Sequence, residues 1–138
     1  MALIVPNAGE IELLDKMLKD DLQVNEDFTM KLYTAVSPAL DKDSEAGDFT
    51  EATFTGYAAK TLLRASWNGS STVTDKAESV YSAAQTWTAG STETLLGYYV
   101  VGATSGILLW AETFAGDWVV SSSVVVNVTP KFTLNSEN

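Results

Sequence analysis

The chain has 138 residues with 18 acids and 8 bases, a formal net charge of −10, and neither cysteine nor histidine. Without those two residue types it has no disulfide, thiolate nucleophile, zinc finger or histidine-based triad. The acidity argues against nucleic acid as a partner: a phosphate backbone needs a basic patch, which eight scattered bases cannot build.

The length fits one domain, residues 1–138, large enough for a real core. The start, "MALIVPN", has only a short apolar run with no base before it and does not read as a secretory signal. Residues 7–19 read as a helix. Asn7 is a candidate N-cap with Glu10 at capping-box spacing. Glu10 and Glu12 in the first turn, and Lys16 and Lys19 near the end, complement the helix dipole. Ile11, Leu14 and Leu18 share a face, with Met17 beside them, so the helix is expected to pack on a sheet. Its polar face is acidic, unlike that of a helix lying on a membrane.

The apolar period then becomes two. Phe28 to Val36 alternates as a strand, and Pro38 ends it. Residues 39–51, "ALDKDSEAGDFTE", read as a long, solvated acidic loop. "FTGYAAKTLLRASW" reads as a strand with Tyr57, Ala59, Thr61, Leu63, Ala65 and Trp67 on one face. Asn68-Gly69-Ser70 is a turn signal, and residues 79–89 form a Ser/Thr-rich strand.

"LLGYYVVGATSGILLWA", residues 95–111, has no charge and is about as long as the shortest membrane-spanning helix. Gly102 to Gly106 interrupts it with turn residues, and no base flanks it, so it reads as a β-hairpin rather than a span. Gly97 suits a bulge or a close backbone approach. Odd and even positions are both apolar, which puts Leu96, Tyr98 and Val100 on one face and Leu95, Tyr99 and Val101 on the other. "AGD" at 115–117 reads as a turn. From Trp118 to Leu134 apolar residues hold even positions, as in one long strand with Trp118, Val120, Val124, Val126 and Val128 inward. The whole predicts a mainly β fold, an antiparallel sandwich or jelly-roll-like arrangement with one short N-terminal helix.

Three phrases, "LYTAVSPALDKD", "DFTEATFTGYAAKTL" and "GILLWAETF…VVVNVTPKFTL", resemble small structural proteins of tailed bacteriophages. The resemblance covers most of the chain. It implies a non-enzymatic virion component without cofactor, of the capsid decoration (cement) type, that bridges neighbouring major capsid subunits. It implies a β-sandwich forming a small homo-oligomer, dimer or trimer, made in the host cytoplasm and carried on the capsid exterior. A tail or fibre part is the lesser implication. An acidic chain, repelled by packaged DNA, suits the outside of a shell.

Other constellations read as ordinary surface. Asp41, Asp43, Glu45 and Asp48 resemble the start of a calcium loop, but Ala46 and Ala52 stand where an EF-hand needs Gly and a bidentate Glu. Glu93, Glu112 and Asp117 supply carboxylates with no motif for hydrolysis. No catalytic, cofactor or metal residue is assigned. Tyr98, Tyr99, Trp110 and Trp118 could stack on sugars, which gives the alternative of a carbohydrate-binding or adhesion module.

From Ser91 to Leu134 only Glu93, Glu112, Asp117 and Lys131 are charged, whereas about a quarter of an average domain is. A hairpin apolar on both faces needs cover from the helix or from another chain. Tyr98, Tyr99, Trp110, Val119 and Val125 are therefore the expected subunit interface.

Overall fold

The computed structural model describes residues 2–18, 26–74 and 76–134. Among them the chain is mainly β. The strands are Ala2–Ile4 (β1), Phe28–Val36 (β2), Phe49–Glu51 (β3), Lys60–Leu62 (β4), Ser71–Val73 (β5), Lys76–Val80 (β6), Gln85–Thr88 (β7), Glu93–Gly102 (β8), Leu108–Val120 (β9), Val125–Val128 (β10) and Lys131–Leu134 (β11), with one helix, Asn7–Leu18 (α1). All strand pairings are antiparallel. One sheet runs β1-β9-β8-β2-β3, with β4 also paired to β2; β10-β7 and β11-β6-β5 form two smaller sheets, and the arrangement is sandwich-like.

The β8–β9 hairpin is the centre of the large sheet. Glu26 holds its turn: the backbone N–H of Ser105 donates to Glu26 Oε2 at 2.8 Å and the Ser105 hydroxyl to Oε1 at 2.6 Å. Gly106 sits at φ +70°, a conformation that glycine adopts without penalty.

Both faces of this hairpin are buried by its own chain. On one face Leu95, Tyr98, Val100, Leu109 and Trp110 join Met30, Leu32 and Leu62 of the large sheet and Trp87, Val126 and Val128 of the facing layer. On the other, Tyr99, Val101, Leu108 and Ala111 meet Tyr33 and Phe49, with Val36, Leu40 and Ala46 packed against them. The Phe49 ring stacks on Tyr99 with centroids 4.4 Å apart.

This overturns the solvated-loop reading of residues 39–51. Ser44 and Phe49 are buried, and Phe49–Glu51 is a strand paired with β2. The loop carboxylates are occupied locally. Asp41 Oδ1 accepts from the Asp43 N–H at 2.8 Å, and Asp48 Oδ2 accepts from the Glu45 N–H at 2.8 Å. The folded loop is the second cover.

Two irregularities set the faces of β8 and β9. Val100 pairs with Trp110 and Val101 with Leu108, so Leu109 is an extra residue in β9. Leu95 pairs with Trp118 and Gly97 with Thr113, so Phe114 to Asp117 bulge out opposite Leu96 alone. A bulge inverts the alternation beyond it. Leu95 therefore shares a face with Tyr98, and Leu96 with Tyr99, the reverse of simple period two. For the same reason "AGD" is a bulge within β9 and not a turn.

Three further strand readings are corrected. "FTGYAAKTLLRASW" is strand only at Lys60–Leu62, followed by a 3-10 turn at Arg64–Ser66, and it buries Leu62 while Leu63 is exposed. Residues 79–89 divide between β6 and β7, because Tyr81 bridges to Trp67 and the chain bends after it. The 118–134 segment is three strands, broken at Ser121–Val124, where Ser123 takes φ +73° and donates its N–H to Ala89 O at 2.7 Å. Inward parity survives because the break holds four residues, an even number: Val120, Val126 and Val128 are all buried. Leu134 is exposed. β2 does end before Pro38, and the Ser37–Pro38 peptide is cis.

The helix docks differently from its expected face. Gly9 lies against the backbone of Leu108 and Leu109, where a Cβ would collide with the Leu109 carbonyl. Asn7 is the first helical residue, not a cap, and its side-chain amide donates to Asp43 Oδ1 at 3.0 Å. Contact through this small-residue end turns Ile11, Leu14 and Leu18 outward, at 61 %, 52 % and 75 % exposure. Lys19 and the side chains of Lys16 and Met17 lie outside the described residues.

At Gly97 the backbone of β8 lies close against β9 and the Tyr33 ring of β2. An added Cβ would strike the Glu112 carbonyl and lie 2.7 Å from Tyr33 Cε1. Gly97→Ala should cost about 2 kcal/mol, the scale of overpacking. Gly116→Ala, with nothing within 4 Å, should be nearly neutral in the same urea melts. Equal losses would contradict this packing.

Candidate functional site

Three of the five expected interface residues are spent inside the chain. Tyr98, Tyr99 and Trp110 are 1 %, 4 % and 2 % exposed. Tyr99 stacks under Phe49, and Trp110 meets Phe28, Trp67 and Phe132 edge-on at 5.9, 5.8 and 5.1 Å. The bulges and the folded acidic loop give these rings neighbours within the chain, so they leave the interface set. Val119 and Val125 do face outward, at 61 % and 49 % exposure. The expected aromatic platform fails for the same reason, since only Trp118 of its four rings is incompletely buried.

The outward helix row takes their place. Ile11, Leu14 and Leu18 stand at i, i+3 and i+7 on one face. Beside them a groove of about 550 Å³ lies between α1, β1 and β11, lined by Leu3, Val5, Leu13, Leu14, Phe132 and Leu134. Its exposed edges, Leu14 and Leu134, continue the row. The helical spacing is visible in the sequence. Its direction is not, although Ala8-Gly9, small enough to meet a backbone, is the available signal.

The carboxylates are dispersed among separate structural tasks. Glu93 accepts from the backbone N–H groups of Thr53 and Phe54, both at 2.9 Å, and ties that segment to β8. Asp117 is exposed in the bulge of β9. Glu112 is 3 % exposed, and the Tyr98 hydroxyl donates to its Oε2 at 2.6 Å. Among the described residues no group of three or more carboxylates could hold a metal ion. No described helix is long and apolar enough to cross a membrane.

The buried phenols have raised pKa values. Burial raises Tyr98, and the Glu112 charge adds to it. Burial likewise raises Tyr57, helped by Glu51, to which its hydroxyl donates at 2.8 Å. Tyr99 is pushed up from 10.0 to about 12, by burial first and then by the charge of Glu51.

No protein-family model matches the chain, and no curated protein matches it.

The raised phenols fix a pH dependence. Unfolded tyrosines ionise near pH 10, while Tyr99 in the fold holds its proton to about 12. Its contribution is therefore complete below pH 10 and is lost as pH rises toward 12. Melting temperature should fall steeply across that window, and Tyr99→Phe should make the fall shallower. Identical profiles for the two proteins would contradict the assignment.

Proposed function

We propose that this chain is a non-enzymatic virion structural protein, a capsid decoration protein that holds neighbouring major capsid subunits through apolar surface. The observation that carries this reading is the row Ile11, Leu14 and Leu18 with the adjoining groove. Large aliphatic side chains are out in solvent and join neither buried core. Contiguous exposed apolar surface of this kind marks a protein-binding face. The phrase resemblance to tailed-phage structural proteins supplies the class of partner. The charge of −10 suits the outer side of a shell, away from packaged DNA.

On this reading the protein is made in the host cytoplasm and seats itself on the capsid exterior as a dimer or trimer. Val119 and Val125 at the other end of β9 and β10 offer a second, smaller contact.

Leu14→Glu puts a charge at the centre of the row without touching either core. Occupancy on purified capsids should fall by about tenfold or more, the scale of a central contact, while the circular-dichroism melt stays unchanged. Wild-type occupancy of the variant, or absence of the protein from purified virions, would overturn the proposal. Retention on polysaccharide instead would favour the adhesion reading.

A further inference from the structure

We propose that the cleft between β9, β10 and β11 binds an organic ammonium group, with Glu112 as counter-ion and Phe114 and Trp118 as walls. The cleft measures about 230 Å³, room for a small alkylammonium group. Glu112 and Tyr98 form its floor, Phe114 and Trp118 one side, and Lys131 part of its rim.

Three observations lead to a cation. The Glu112 side chain is nearly completely buried, and a buried carboxylate is costly unless a positive charge meets it. Among the described residues it receives one hydrogen bond, from Tyr98 to Oε2, and Oε1 accepts none. The nearest base on the rim is directed elsewhere: Lys131 Nζ lies 3.7 Å from Glu78 Oε2. The opposing charge is thus left for something entering from the cleft.

The walls select the kind of cation. Phe114 and Trp118 meet edge-on, with centroids 5.8 Å apart, at the cleft's side. Aromatic faces attract alkylammonium groups through the ring quadrupole. A calcium ion would take six to eight oxygens and a zinc ion three or four side-chain ligands, whereas Glu112 is the only carboxylate in this lining, which has no cysteine or histidine. A neutral sugar would leave the carboxylate charge unmet. The site is independent of the outward helix row, so it stands or falls separately from the capsid reading.

The test follows the Trp118 indole N–H by NMR while n-butylammonium chloride is added to the full chain. A saturable shift is expected. n-Butanol, the neutral analogue, and sodium chloride at equal ionic strength should give none. Trp118→Ala, followed at the Lys131 amide, and Glu112→Gln should each weaken binding by about tenfold. Lys131→Gln should strengthen it by removing a competing cation. Should Glu112→Gln fail to fold, Trp118→Ala and Phe114→Leu carry the test. Nα-acetyl-lysine methylamide distinguishes the sources. Tighter binding than butylammonium identifies a lysine side chain of another polypeptide, and weaker binding a free amine. Equal response to butanol and butylammonium, no saturation with either amine, or undiminished binding by a folded Glu112→Gln protein would overturn the proposal.

Discussion

The structure depends on a hairpin that must be dry on both sides. A strand pair with Tyr98 and Val100 on one face and Tyr99 and Val101 on the other cannot leave either face in water without exposing a large apolar area. The chain supplies both covers. The smaller sheets close one face, and Phe49 with the folded 39–51 loop closes the other. Gly97 leaves room for the Tyr33 ring of β2, which occupies the space that any side chain there would need. The bulges of β9 distribute the residues between the two cores.

That internal cover changes what the surface can be used for. The charge-poor half of the sequence supplies much of the core, and its exposed positions are mostly small or hydroxyl residues such as Thr92, Thr94, Thr104, Ser105, Ser121 and Ser122. Three of the large apolar groups left exposed, Ile11, Leu14 and Leu18, are on the helix. Its Ala8-Gly9 end sits on the backbone of β9, so the row at Ile11, Leu14 and Leu18 turns away from the sheet.

Sequence periodicity locates β2 and α1, and turn residues between two apolar runs locate the hairpin with its Gly-containing turn. It also fixes the inward parity of Val120, Val126 and Val128, even across the break between β9 and β10. It fails where the period itself is interrupted. No residue type announces the bulge of Phe114 to Asp117 opposite Leu96, and so simple alternation exchanges the faces of Leu95 and Leu96. Acid content hides the cover, since Asp41 and Asp48 look solvated but serve backbone N–H groups of their own loop. Short strands such as β1 and β5 have three residues each and carry no period to read. Of the expected interface, only Val119 and Val125 remain on the surface, because burial of an aromatic ring by sequence-distant residues leaves no local trace. The Glu112–Tyr98 floor comes only from cross-strand pairing in three dimensions.

Native-state amide hydrogen exchange of β8 tests the central claim most directly. If the chain alone buries both faces of the hairpin, the amides of Tyr98 to Val101 exchange among the slowest in the molecule, at rates independent of protein concentration. Rapid exchange in dilute solution, slowing as concentration rises, would mean that another chain provides the second cover.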